Sequence, residues 1–270
     1  MQQAIAVLDS GVGGLTVVKE VMRQLPREKI LYFGDTARTP YGSRSAEQVT
    51  QFTREIVDYL AQFQPKMIVI ACNTATAVAL DDITSRVDIP VVGVINPGAR
   101  AALGRTKTNV VGVIGTEGTI RSGAYVQALR RLSPHIEVVS QACPQFVPLV
   151  EDGNFRSRQT EQIVFESLSA LRGSSIDSLI LGCTHYPFLA ETISEAMGPN
   201  VTLISSADET AREISTILQG HNQLAGNDEL PIHQFFCSGD PKKFQEIAQA
   251  WLGEQIRLTP VVWQAPNIGA

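Results

Sequence analysis

No cluster of lysine and arginine occurs anywhere in the 270 residues, where 22 basic side chains are set against 27 acidic ones for a formal net charge of −5. The electrostatic footprint of a nucleic-acid or anionic-membrane binder is missing, so no nucleic acid and no membrane are expected as partners, only a small molecule. Long apolar runs are missing too. The longest, such as Met67 to Cys72, fall far short of the roughly 20 residues that span a bilayer. The N-terminal stretch lacks a basic region followed by an apolar one, and a soluble, cytoplasmic protein is expected. The four cysteines include no CxxC pair. That spacing suits neither a disulfide scaffold nor a common structural zinc site, and the cysteines read as reduced thiols.

What is present is a globular composition, 44% hydrophobic and 18% charged, laid out as short apolar runs alternating with amphipathic segments. That alternation predicts βαβ units and an α/β fold with mainly parallel sheets. Ala4 to Leu8 reads as a buried strand, Gly11 to Gly14 as a turn, and Leu15 to Leu25 as a helix stopped by Pro26. After a strand at Ile30 to Phe33, Ser45 and Gln48 form a capping box for a helix whose apolar stripe is Val49, Phe52, Ile56, Tyr59 and Phe63. Strands at Met67 to Ala71 and Pro90 to Ile95 follow, with a helix from about Ala75 between them and a break at Pro97-Gly98.

The alternation then restarts, with strands at Val110 to Ile114, Ile136 to Val139, Ser178 to Leu181 and Val201 to Ile204. Helices are expected over Ile120 to Leu132 and Ser157 to Leu171. Ser206 with Glu209 reads as another capping box, and Asp240-Pro241 as an N-cap with proline at the first helical position. The halves resemble one another: Ile5 to Gly11 (IAVLDSG) matches Val111 to Glu117 (VGVIGTE), and Val69 to Ala75 (VIACNTA) matches Leu179 to His185 (LILGCTH), at nearly equal separations. Such a repeat suggests two pseudo-equivalent lobes.

Cys72 and Cys183 each follow a buried parallel strand, at the carboxyl end where open α/β sheets bind ligands. A free thiol near pKa ~8.5 can be lowered there by helix ends and cations, so either protonation state is within reach. An ordinary cysteine is a small buried hydrophobe. These two instead have polar followers, Asn73 and Thr74 after the first, Thr184 and His185 after the second, whereas Cys143 and Cys237 lack such company. Asp9 and Ser10 end the first strand and face the same crevice. Asp9 could orient or deprotonate a neighbour, or serve only as a turn carboxylate. His185 could supply a proton or a charge beside Cys183. Cys72, Cys183 and His185 could also be three ligands of an open zinc site. Gly11-Val12-Gly13-Gly14 approaches a dinucleotide fingerprint, but Thr16 occupies the position of its third glycine, and NAD binding is not expected.

Taken together and in order, DSGVGGLT (Asp9 to Thr16), GDTARTPYG (Gly34 to Gly42), ACNTATA (Ala71 to Ala77), GTEGTI (Gly115 to Ile120) and GCTHYP (Gly182 to Pro187) resemble the glutamate racemases of the aspartate/glutamate racemase superfamily. The likeness runs over nearly the whole chain. It implies two flavodoxin-like lobes, residues 1–97 with 208–270 and residues 98–207, with the chain's last part returning to the first lobe. It further implies cofactor-independent racemisation of glutamate for peptidoglycan synthesis, no metal, and a homodimer. Racemisation of aspartate is the nearest alternative within the superfamily.

By the same resemblance Cys72 takes the proton from the D-enantiomer and Cys183 from the L-enantiomer. Asp9, His185 and Glu151 match assisting acid/base residues. Ser10, Pro40, Tyr41, Gly42, Asn73, Thr74, Thr116, Thr119 and Thr184 match substrate-binding positions. Two departures from the family pattern stand out. Asn96 replaces an acidic residue often found before that proline, and Thr39 replaces a frequent cysteine before Pro40.

Overall fold

The computed structural model describes residues 3–153, 155, 157–226, 230–253 and 261–264. In chain order the elements are β1 (Ile5–Asp9), α1 (Leu15–Gln24), β2 (Ile30–Gly34), α2 (Ala46–Ala61), β3 (Met67–Ile70), α3 (Asn73–Arg86), β4 (Val91–Gly93) and α4 (Ile95–Leu103). There follow β5 (Val110–Gly115), α5 (Glu117–Ser122), α6 (Ala124–Leu132), β6 (Glu137–Ala142), α7 (Phe146–Glu151), α8 (Arg158–Ser167) and β7 (Ser178–Gly182). A 3-10 turn (Tyr186–Leu189) leads into α9 (Ala190–Met197), β8 (Thr202–Ile204), α10 (Ser206–Gly220), β9 (His233–Cys237), α11 (Pro241–Leu252) and β10 (Val261–Gln264).

The strands form two sheets, ordered β10-β9-β2-β1-β3-β4 and β6-β5-β7-β8, with every pairing parallel. The order β2-β1-β3-β4 in the first sheet recurs as β6-β5-β7-β8 in the second. The repeat in the sequence is thus a repeat of topology, and each lobe follows the flavodoxin-like order. β1, β2, β3, β5 and β7 are buried along their whole length, as strands covered on both faces must be. Alternation divides them between two cores. Ile5 and Val7 of β1 pack toward α1, α10 and α11, while Ala6 and Leu8 pack toward α2 and α3. In the second sheet Leu179 and Leu181 face α7, α8 and α9, while Val111, Val113 and Ile180 face α4 and α6.

Several local expectations hold. Ser45 and Gln48 make the full capping box of α2, and Asp240 caps α11 with proline in its first turn. Such caps contribute about 1 kcal/mol each by satisfying orphan backbone N–H groups. Others are corrected. Pro97-Gly98 is no break: both lie inside α4, where the first turn has no intrahelical partner for the N–H that proline lacks. The helix expected over Ile120 to Leu132 is two helices, because Gly123 takes φ 67° between them. The helix from Ser157 ends at Ser167 and not at Leu171, and Ser157 is its cap. The cap of α10 is Ser205, not Ser206, with its hydroxyl accepting from Ala207 N. β9, α7 and α9 carry no strong local signal in the sequence.

Candidate active site

In flavodoxin-like sheets the crevice opens at the carboxyl ends of the strands where the order reverses, here between β1 and β3 and between β5 and β7. Those four strand ends carry Asp9-Ser10, Cys72, Thr116 and Cys183, and the two crevices face each other across one buried seam.

On the first side, Asp9 folds back on its own turn, Oδ2 accepting from Gly11 N at 3.0 Å. Tyr32 donates its hydroxyl to Gly11 O at 2.8 Å and locks the same turn. Cys72 is the N-cap of α3: its sulfur accepts from Ala75 N at 3.5 Å and lies 3.7 Å from Ser10 Oγ. A helix N-terminus favours a thiolate. Here burial wins, and with the nearby charge of Asp9 it pushes the Cys72 thiol up to about 12, in spite of its contacts with Ala75 N and Ser10 Oγ. Cys72 is therefore held as a thiol at neutral pH. Asp9 is itself raised by complete burial, an effect partly offset by the charge of His185, the backbone at Gly14 and Gly11, and the Thr184 hydroxyl.

On the second side, Cys183 Sγ lies 3.8 Å from His185 Nδ1, and His185 Nε2 lies 3.2 Å from Glu151 Oε1 at the end of α7. Burial disfavours a charge on His185, but its contacts with Cys183 and Glu151, together with the charges of Cys183 and Asp9, lift it to about 10. An imidazolium with both ring nitrogens engaged is the result. Glu151 is held below the usual carboxylate range: the His185 hydrogen bond and charge, the Thr39 hydroxyl and the Lys243 charge outweigh its burial.

The two sides touch at several points. Thr184 Oγ1 donates to Asp9 Oδ1 at 3.3 Å. The hydroxyls of Thr74, Thr116 and Thr119 form a triangle with edges of 2.9, 3.1 and 3.1 Å. Gly118 N donates to Gly42 O at 2.9 Å, and Tyr125 donates its hydroxyl to Asn73 Oδ1 at 2.6 Å. Gly13 must be glycine, because a Cβ there would sit 2.3 Å from Thr184 Oγ1 and 2.6 Å from His185 Nδ1. Cys72 and Cys183 are 5% and 7% exposed, and a charge on Cys183 raises Cys72, so both thiols belong to one electrostatic site.

The structure thus gathers Asp9, Ser10, Gly42, Cys72, Asn73, Thr74, Thr116, Thr119, Glu151, Cys183, Thr184 and His185 along the seam. Tyr41 lies buried beside it, donating its hydroxyl to Asp35. Pro40 is the exception, being exposed. Cys143 and Cys237 are buried too, Cys143 in the same apolar cluster as Cys183 and Cys237 in the core beside α1, α10 and α11. Among the described residues no three His, Cys, Asp or Glu side chains converge as a metal site. Cys72, Cys183 and His185, the alternative zinc ligands, are accordingly not gathered as one. Among the described residues no helix is long and apolar enough to cross a membrane.

Three contacts were not anticipated. Tyr125 reaches Asn73, the Thr39 hydroxyl lies 3.5 Å from Glu151 Oε1, and Lys243 of α11 acts on Glu151 through its charge. A pocket lined by Val12, Thr39, Glu151, Lys243 and Phe244 opens beside them. Of the two departures from the family pattern, Thr39 therefore meets the site, whereas Asn96 is exposed.

The pattern of the Asp/Glu/Hydantoin racemase family matches residues 5–214. The chain is 54% identical to the glutamate racemase of Bacillus cereus (strain ATCC 10987 / NRS 248) over 256 residues, covering 95% of each chain. Its fold superposes on the crystal structure of a glutamate racemase isoform from Bacillus anthracis with a TM-score of 0.92 at 49% identity, covering 96% of each chain. The glutamate racemase of Francisella tularensis subsp. tularensis SCHU S4, solved in complex with D-glutamate, gives a TM-score of 0.87 at 36% identity, covering 93% of this chain and 94% of that one. With the family pattern, the sequence identity and the two-sheet architecture in agreement, the chain belongs to the Asp/Glu/Hydantoin racemase family and, within it, to the glutamate racemases.

Proposed function

We propose that the enzyme interconverts L- and D-glutamate without a cofactor, Cys72 and Cys183 serving as the two bases on opposite faces of the α-carbon. The observation that carries this reading is the placement of the two thiols at the ends of β3 and β7, in different sheets but one seam, each with its own polar partners. Inversion by two bases needs one group to remove the α-hydrogen while another delivers a proton from the other side. In the direction from L to D, Cys183 as thiolate, beside the His185 imidazolium, removes the proton. Cys72, kept as a thiol by burial, delivers one. After turnover the protonation states are exchanged, and Asp9 beside Cys72 assists the reverse direction.

An amino-acid α-proton is only weakly acidic. The developing carbanion therefore needs preorganised donors in a dry site. Ser10, Thr74, Thr116, Thr119 and Thr184 are suited to that task, while Asn73 holds the substrate in ground and transition states alike, and Tyr41 and Gly42 shape the rim on which Pro40 sits. Because both sulfurs are buried, substrate entry requires the lobes to part. In this reading the lobes comprise residues 1–97 with 208–270 and residues 98–207, although residues 1–2, 154, 156, 227–229, 254–260 and 265–270 lie outside the described residues. The product supplies peptidoglycan synthesis in the cytoplasm, and the enzyme works as a homodimer.

The test is incubation of purified protein with L-glutamate in deuterated water containing a chelator, following optical rotation and α-deuteration, with aspartate in parallel. Racemisation of glutamate with α-deuteration is expected, and Cys72→Ala and Cys183→Ala should each stop it. Full racemisation by either variant overturns the two-thiol assignment. Inhibition by the chelator favours a metal enzyme, and faster turnover of aspartate reassigns the substrate.

A further inference from the structure

Asn73 is 3% exposed and stands between Cys72 and Thr74, and its two polar atoms are treated unequally. Oδ1 accepts the Tyr125 hydroxyl at 2.6 Å, while Nδ2 is buried with no protein partner. An amide N–H left unpaired in a closed site costs about 1–3 kcal/mol unless something else accepts from it. In a site built for an amino acid, a substrate oxygen is the natural acceptor. An amide can flip, exchanging Oδ1 and Nδ2, and whichever neighbour fixes the oxygen also fixes the donor.

Tyr125 fixes it from the other lobe. It stands on α6, is 2% exposed, and belongs to the core that covers the second sheet. Its hydroxyl also faces Ser206 at the start of α10, across Gly98 of α4. Its ring edge lies against Gly182, where an added Cβ would be 3.1 Å from Tyr125 Cε2. Gly182 immediately precedes Cys183. One side chain therefore contacts the strand end that carries one thiol and the residue that follows the other.

We propose that Tyr125 is a positioning residue: it orients the Asn73 amide so that Nδ2 is presented to the substrate, and it couples that orientation to the approach of the Cys183 strand end. The proposal rests on the glutamate-racemase reading given above. Removing the hydroxyl frees the amide to flip and weakens substrate binding. The ring remains, so the packing against Gly182 is unchanged.

The test is Tyr125→Phe, followed by the cycle with Asn73→Ala, using L-glutamate and D-glutamate as substrates. For Tyr125→Phe, KM is expected to rise about 10-fold with kcat little changed, as for loss of a contact made equally in ground and transition states. KM does not depend on the fraction of enzyme that is folded, so partial misfolding does not mimic this result. Asn73→Ala should raise KM at least as much, and adding Tyr125→Phe to it should change KM no further. A wild-type KM for Tyr125→Phe, or effects that multiply in the double variant, overturns the proposal. Wild-type enzyme is assayed first: if it exchanges no α-hydrogen of glutamate, the functional reading fails, whereas an active wild type with an indifferent Tyr125→Phe overturns the positioning role alone.

Discussion

The hydroxyl of Thr184, from the loop after β7, donates to Asp9 Oδ1 at the end of β1, so that a residue beside one thiol helps to hold the charge of an acid beside the other. This hydrogen bond lowers the Asp9 carboxyl against the opposing effect of its burial. Thr184→Val keeps the shape and removes the donor, so the Asp9 pKa rises further. The acid limb of the kcat/KM profile is expected to move to higher pH, with activity at neutral pH falling about 10-fold, which corresponds to loss of one hydrogen bond to a charged group. An acid limb that stays in place while activity falls would count against Asp9 as the titrating group.

Glu151 raises His185 through a hydrogen bond, and the charge of His185 in turn lowers Glu151. Glu151→Gln removes the charge, and His185 then loses its proton at a lower pH than about 10. The alkaline limb of activity is expected to move to lower pH. His185→Gln removes the imidazolium itself and should cost ~10²–10⁴ in kcat, the usual worth of a positioned acid or base. Because L- and D-glutamate have equal free energies, kcat/KM must fall by the same factor in both directions, and polarimetry from either enantiomer checks this.

Gly13 faces the Thr184 and His185 side chains across the seam between the lobes. In Gly13→Ala the new methyl would meet the Thr184 and His185 side chains at well under contact distance, so the loop after β7 has to shift. A displacement of this kind at the reacting groups costs about 10²-fold in kcat/KM. Thermal unfolding should change little, since the strain is relieved by separating the lobes and leaves both cores intact. A variant with wild-type kcat/KM would show that the closed seam is not needed for turnover.

His233 is buried with Nδ1 accepting from Ile30 N at 3.1 Å, and burial, with the charge of Lys29, lowers it from 6.5 to about 4. In the unfolded chain it takes up a proton near 6.5, whereas in the folded chain it resists until about 4. Stability is therefore lost as pH falls from 6.5 toward 4, by roughly 3 kcal/mol for this one residue. Denaturant titrations of His233→Asn should show a flatter dependence over that interval. An unchanged slope would place the acid sensitivity elsewhere.

The strands were legible before the fold because a parallel strand covered on both faces must be a short continuous apolar run, and Ile5–Asp9, Met67–Ile70 and Ser178–Gly182 are such runs. Helix ends were less so. Gly123 could have been a tolerated helical glycine or a stop, and only packing settles it as a left-handed junction. Pro97 looks like a breaker until α4 is seen to begin just before it. The residues of the seam were legible as strand-end motifs. Their partners across it were not: Tyr125 is 52 residues from Asn73 and Thr39 is 112 from Glu151, and no local pattern announces a contact made by the docking of two lobes.

The return of β9 and β10 to the first sheet has a consequence for biosynthesis. β5 to β8 are contiguous in the chain, so the second sheet can be completed as soon as residue 204 has left the ribosome. The first sheet cannot, because β2 stays an open edge until β9 arrives near residue 233. The half made first is thus finished last, and its apolar edge strand stays unpaired for most of translation.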